Sequence, residues 1–220
     1  MLLLLTGLFA GFFHVLSGPD HLAAVSPIAV ENKKSSWKIG LKWGIGHTGG
    51  VYLVGILLLI FREFIPINLL ASYSEKIVGF ILIVIGVWGL QKIFRKNIHE
   101  HEHDGSRHYH LKKVEKKTAT NKQNHFHSHT AMAVGILHGF AGSSHLLGVL
   151  PALALPTKNE AVIYLLAFGI GTILAMVSFS QILGIVSYKF SEKSTSLYRR
   201  LGYSFSSIAI IVGVFWIYST

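Results

Sequence analysis

GFFHVLSGPDHLAAV, residues 11–25, and GILHGFAGSSHLLGV, residues 135–149, are the two stretches that decide the architecture. At a constant offset of 124, His14 matches His138 and His21 matches His145. Gly11, Gly18, Leu22 and Val25 match Gly135, Gly142, Leu146 and Val149 at the same offset. WGIGHT at 43–48 recurs as FGIGT at 168–172 without its histidine, and IVIGVWGL at 83–90 is echoed more weakly by IIVGVFWI at 210–217. Apolar segments resemble one another by chance, but chance does not readily put histidines and glycines at one shared offset. The chain reads as two related halves.

What surrounds these stretches sets the class. Of 220 residues, 51% are hydrophobic and 14% charged, against about 25% charged in soluble domains. The charges gather between long uncharged runs, and runs of about 18 or more apolar residues are the signature of membrane helices. Six spans are predicted, near 2–17, 39–61, 75–91, 131–150, 161–187 and 201–218. The first has neither a basic leader nor a small-residue cleavage site and carries His14, so it reads as a retained helix. The expectation is an all-α membrane protein of about six helices. Residues 1–91 form one three-helix repeat, 92–130 a central loop, and 131–220 a second three-helix repeat. An odd number of spans per half makes the second repeat inverted, a common plan among secondary transporters.

Seventeen of the twenty Lys and Arg residues fall in the segments at 31–42, 92–130 and 188–200, and three fall in the alternate ones. The positive-inside rule places the rich segments in the cytoplasm, both termini outside, and the protein in the cell membrane. That rule also accounts for the net charge of +10, which in a soluble protein would point to nucleic acid. There is no cysteine, which excludes disulfides, thiolate metal sites and dithiol redox chemistry.

Five histidines lie in or beside the spans, all inside the repeated motifs: His14, His21, His47, His138 and His145. Ionisable groups at membrane depth are costly and usually functional, and imidazole is the commonest neutral metal ligand. On an unbroken helix His14 and His21 would stand about 10.5 Å apart along the axis, too far to share an ion. Ser17-Gly18-Pro19 between them should break the helix, because proline removes a backbone donor and glycine tolerates unusual dihedrals. Gly142 marks the equivalent break in the second half. Asp20, the one acidic residue of these motifs, faces Ser144 in the second copy, so the charge sits in the first half. His14, Asp20, His21 and His47 form the expected main site. His138 and His145 either complete it or make a second station, and histidines that merely tie helices together are the structural alternative.

The other eight histidines, His99, His101, His103, His108, His110, His125, His127 and His129, lie in the 39-residue central loop. Such tracts bind transition metals weakly and multiply. They suit a cytoplasmic accessory site that buffers, senses or hands over a cation.

HVLSGPDHLAAV at 14–25, GHTGGV at 46–51 and HGFAGSSHLLGVLP at 138–151 resemble the nickel/cobalt transporter superfamily (NicO-like), and within it the UreH-type branch. The resemblance covers nearly all of the chain outside the central loop. It implies a permease moving Ni²⁺, or Co²⁺, as substrate rather than as a resident cofactor, with His14, Asp20 and His21 in recognition; uptake is slightly favoured over efflux. The implied partners are the divalent cation and the lipid bilayer, not nucleic acid, with a metallochaperone or a second copy left open. A histidine-metal membrane enzyme is the alternative. A metalloprotease would need HExxH on one helix, and the string that fits those letters, HEHEH at 99–103, lies in the polar loop. No GxxxxGK[ST] motif is present, so this chain does not itself hydrolyse ATP through a P-loop. An anion route would favour Arg or Lys within the spans, and the only ones inside the span bounds, Lys42 and Lys76, sit at span ends.

Overall fold

A computed structural model describes residues 1–61, 67–95, 98–103, 106–111, 122–141, 151–152 and 154–219. The helices are α1 (Leu2–Ser17), α2 (Pro19–Asn32), α3 (Ser36–Phe61), α4 (Ile67–Arg95), α5 (Lys122–Ala141), α6 (Lys158–Lys193) and α7 (Thr195–Ser219). A short antiparallel pair, β1 (Ile98–His103) and β2 (Ser106–Leu111), lies within the central loop. Its register sets His99 opposite His110 and His101 opposite His108. The protein is otherwise all-α. Tyr73–Arg95, Lys158–Lys193 and Thr195–Ser219 are each long and apolar enough to cross a membrane, and Leu2–Ser17 passes together with Pro19–Ile56 across a 72° bend. Thr130–Phe140 is a shorter apolar helix. The sequence reading left 19–32 outside any span, whereas the structure makes it the helix α2, buried from Ala23 to Val30. The start of α6 is fixed by a capping box in which Thr157 and Glu160 satisfy each other's backbone donors.

The surface is inverted relative to a soluble protein. Phe80, Ile211 and Phe215 are about two-thirds exposed, whereas Asp20, His21, His47, His138 and Thr172 are almost fully buried. An apolar exterior around a polar interior is what a bilayer demands, because lipid satisfies no hydrogen bond. This is a multi-pass membrane protein.

Without a hydrophobic drive between helices, close packing and polar links do the work. α1 packs on α6, α3 on α5, and α4 on α7, with α3 against α6 at the centre. The backbones come so close that a Cβ on Gly11 would overlap the Phe168 carbonyl, and one on Gly135 the Trp43 carbonyl. A Cβ on Gly171 would meet Leu8 in the same way, and one on Gly46 would meet Met132. Tyr52 Oη donates to Leu165 O at 2.5 Å and Ser187 Oγ to Val30 O at 2.5 Å, tying α3 and α2 to α6.

The basic segments meet at one end of the bundle. Lys33 lies over the Tyr198 ring at 5.3 Å and Lys34 over the Tyr188 ring at 3.9 Å. Lys92 pairs with Glu31 and covers Trp88 at 4.6 Å. The ends of α2, α4 and α6 and the start of α7 therefore share one face, as the alternation of charge along the chain requires.

Gly11→Ala should lower stability by about 1–3 kcal/mol, because its methyl meets backbone that cannot yield. Gly49→Ala, with nothing within 4 Å of the added Cβ, should be neutral or stabilising by up to about 1 kcal/mol. Thermal unfolding of the two variants in detergent checks the contrast.

Candidate metal centre

The site starts from a break in the chain. α1 ends at Ser17, Gly18 is extended (φ −89°, ψ 103°), and α2 starts with Pro19 at its first position. Proline suits that position because its missing N–H would be unpaired there anyway. Gly18 does not use the dihedral freedom expected of it. Its φ is ordinary, and the reason for glycine is space: a Cβ would overlap His21 Nδ1 and crowd Asp20 Oδ1. The equivalent position in the second half, Gly142, lies outside the described residues, as does His145.

The bend folds the end of α1 back over the start of α2. His14 and His21 come to a ring separation of 4.7 Å. His47 from α3 lies 4.9 Å from His21 and 6.1 Å from His14. His138 from α5 lies 4.9 Å from His21 and 5.7 Å from His47. Asp20 joins the two halves. Its Oδ1 is 3.0 Å from His21 Nδ1 and its Oδ2 3.1 Å from His138 Nε2. Asp20 also stands in the first turn of α2, where the helix dipole favours a carboxylate.

Five of the six residues expected in the membrane site thus meet in one place. They form two sets that could each hold an ion: His14, His21 and His47, and Asp20, His21 and His138. Within each set the ligand atoms lie within 4.8 Å of one another, and His21 belongs to both. Bonds near 2 Å require small rotamer movements inward. Three neutral nitrogens suit a borderline transition metal, and one carboxylate offsets part of a divalent charge. The eight loop histidines lie among residues whose side chains are outside the description.

Two aromatic residues were missed. Trp43 is fully buried and stacks on His47 at 4.8 Å and 11°, with His138 at 5.3 Å. Phe168 lies 5.4 Å from His14. The clue was in the repeat, since WGIGHT and FGIGT align Trp43 with Phe168. A cavity of about 470 Å³ opens on the site, lined by Ala10, His14, Ser17, Asp20, His21 and Phe168 among others. His47 and His138 lie behind it.

A buried polar cluster at a helix break within an apolar helical bundle defines a membrane protein built around an interior polar site. Residues 2–215 match the family described as the cytochrome C biogenesis protein transmembrane region, and the chain belongs to that family. It is 34% identical over 216 residues to the chloroplast protein FOR GROWTH AND FERTILITY 2 of Arabidopsis thaliana, covering 95% of this chain and 54% of the relative. The chain spans little more than half the length of that relative and of its Arabidopsis companion, FOR GROWTH AND FERTILITY 1. It is 29% identical to the urease accessory protein UreH of Bacillus sp. (strain TB-90) over 220 residues, covering 99% of this chain and 91% of UreH. A candidate nickel/cobalt efflux system of Methanocaldococcus jannaschii is 24% identical over 227 residues, with 99% of this chain and 92% of the relative covered. These relatives bear out the UreH-type, nickel/cobalt-transporter-like resemblance. No solved structure is significantly similar to the chain.

Asp20→Ala removes the acceptor of two buried imidazoles and should cost about 1–3 kcal/mol of stability. A thermal-shift measurement in detergent, with Asp20→Asn as the shape-conserving comparison, checks it.

Proposed function

We propose that the protein is a permease for a divalent transition-metal cation, Ni²⁺ in preference and Co²⁺ as a second substrate. The observation that carries this reading is the meeting of His14, His21, His47, His138 and Asp20 at a helix break deep in an apolar bundle. Neutral imidazoles replace the hydration shell of a borderline cation, and Asp20 lowers the cost of bringing its charge into a low-dielectric interior. The name of the archaeal nickel/cobalt system supports the choice of cargo.

The two halves act as inverted repeats. The packing supports this, because exchanging the halves turns the Gly11–Phe168 contact into Gly135–Trp43 and the Leu8–Gly171 contact into Met132–Gly46. The echo between 83–90 and 210–217 likewise exchanges Gly86–Ser206 with Gly213–Gly79. The basic end faces the cytoplasm, so the histidine-rich loop would gather or receive the cation there. Uptake is the working direction.

Radiolabelled Ni²⁺ and Co²⁺ flux, in whole cells and inside-out vesicles, tests the reading and its direction together. His14→Ala and His21→Ala should each lower flux by about tenfold or more, the scale on which changes around a metal site act. Wild-type rates in both variants would sink the site. Bound Ni²⁺ should also quench the fluorescence of Trp43, which stacks on His47, and Trp43→Phe should weaken the quench to what Trp216 at the cavity contributes.

A further inference from the structure

His14 and His138 occupy equivalent places in the two halves, and the structure gives them nearly the same surroundings. The His14 ring lies 5.4 Å from Phe168, tilted by 42°. The His138 ring lies 5.3 Å from Trp43, tilted by 50°. Phe168 and Trp43 are themselves counterparts in the repeat. One turn earlier, Gly11 packs on the Phe168 carbonyl and Gly135 on the Trp43 carbonyl. The two histidines nevertheless differ in access. His14 is partly exposed and lines the 470 Å³ cavity, whereas His138 has no exposed surface and does not line it. Each belongs to a different ligand set, and the sets overlap at His21 alone.

We propose that His138 is the second station of the cation path: the ion is received with His14 on the cavity side and released from His138 towards the opposite side of the membrane. His21 is the ligand common to both stations, so the ion moves by exchanging His14 and His47 for Asp20 and His138 without losing all its protein ligands. Release follows when the halves exchange roles. The cavity at Ala10, His14 and Phe168 then closes, and an equivalent one opens at Val134, His138 and Trp43, their counterparts in the repeat. An inverted repeat makes the two end states near-copies of each other, which is why one structure carries both stations while, among the described residues, His14 lines a cavity and His138 is buried. This inference rests on the permease reading above.

The absence of native cysteine makes the test direct. His14→Cys and His138→Cys are placed singly in the full chain, and a membrane-impermeant thiol reagent is applied to right-side-out and inside-out vesicles. His14→Cys should react from one face and His138→Cys from the other. Reaction of both from the same face, or of His138→Cys from neither, would overturn the proposal. In parallel, His14→Gln and His138→Gln are compared for Co²⁺ affinity in detergent and for Co²⁺ flux in proteoliposomes. His138→Gln should lower flux by about tenfold or more and affinity less than His14→Gln does. Equal losses of affinity in the two variants would mean a single station and would also overturn it. Wild-type vesicles that move neither Ni²⁺ nor Co²⁺ would overturn the permease reading and this proposal with it, whereas the labelling and affinity outcomes above overturn the second station alone.

Discussion

A carboxylate cannot be held at 3% exposure inside an apolar bundle unless something answers for its charge, and much of this structure is arranged to do so for Asp20. His21 approaches one oxygen and His138 the other. The first comes from the same helix turn and the second from the other half of the chain. Asp20 is thus a side-chain link between the repeats at the site. Its position follows from the break at Gly18 and Pro19, which puts it in the first turn of α2 rather than midway along a continuous helix. The break in turn requires that position 18 carry no side chain, because the space is filled by the groups that Asp20 and His21 present. Breaking the helix, charging its new N-terminus and gathering the imidazoles are therefore one structural event.

Packing around that event is tight at the backbone. Glycines on α1, α3, α5 and α6 press against carbonyls of the facing helix. In lipid such contacts replace the hydrophobic drive that would hold a soluble bundle together. They also fix the height of each helix relative to its neighbour, and hence the level at which His14, His47 and His138 enter. Trp43 adds a flat wall behind His47 and His138. A large apolar ring there keeps water from the deeper imidazoles and leaves the approach to the side of His14.

Much of this was legible in the sequence, for physical reasons that can be named. A glycine-proline pair inside an apolar run favours a break, and a break can swing the two flanking histidines together, as it does here. The offset of 124 by itself makes His138 the counterpart of His14. Two things were not legible. One was that Asp20 turns towards His138, because a contact across 118 residues depends on how α5 docks on α3. The other was α2: with Asp20, Glu31 and Pro27 its composition falls short of a membrane helix, and only its burial against α3, α6 and α7 makes it one. The role of Trp43 was present in the repeat but masked, since an aromatic residue in an apolar span reads first as packing.

The family to which the chain belongs takes its description from cytochrome c biogenesis, yet this chain carries no thiol with which to exchange electrons. The same helical frame must then serve whatever its interior side chains permit. Where thiolates are lacking, imidazole and carboxylate are the strong ligands left, and they are gathered here at the bend. Nitrogen and oxygen donors favour borderline divalent ions over soft monovalent ones. Two overlapping ligand sets, rather than one closed tetrahedron, favour an ion that stays briefly. A closed four-ligand site would trap its metal as a structural ion does. For the proposed permease, sharing His21 between two incomplete sets would keep each shallow enough to be left, as passage through a membrane demands of a binding site.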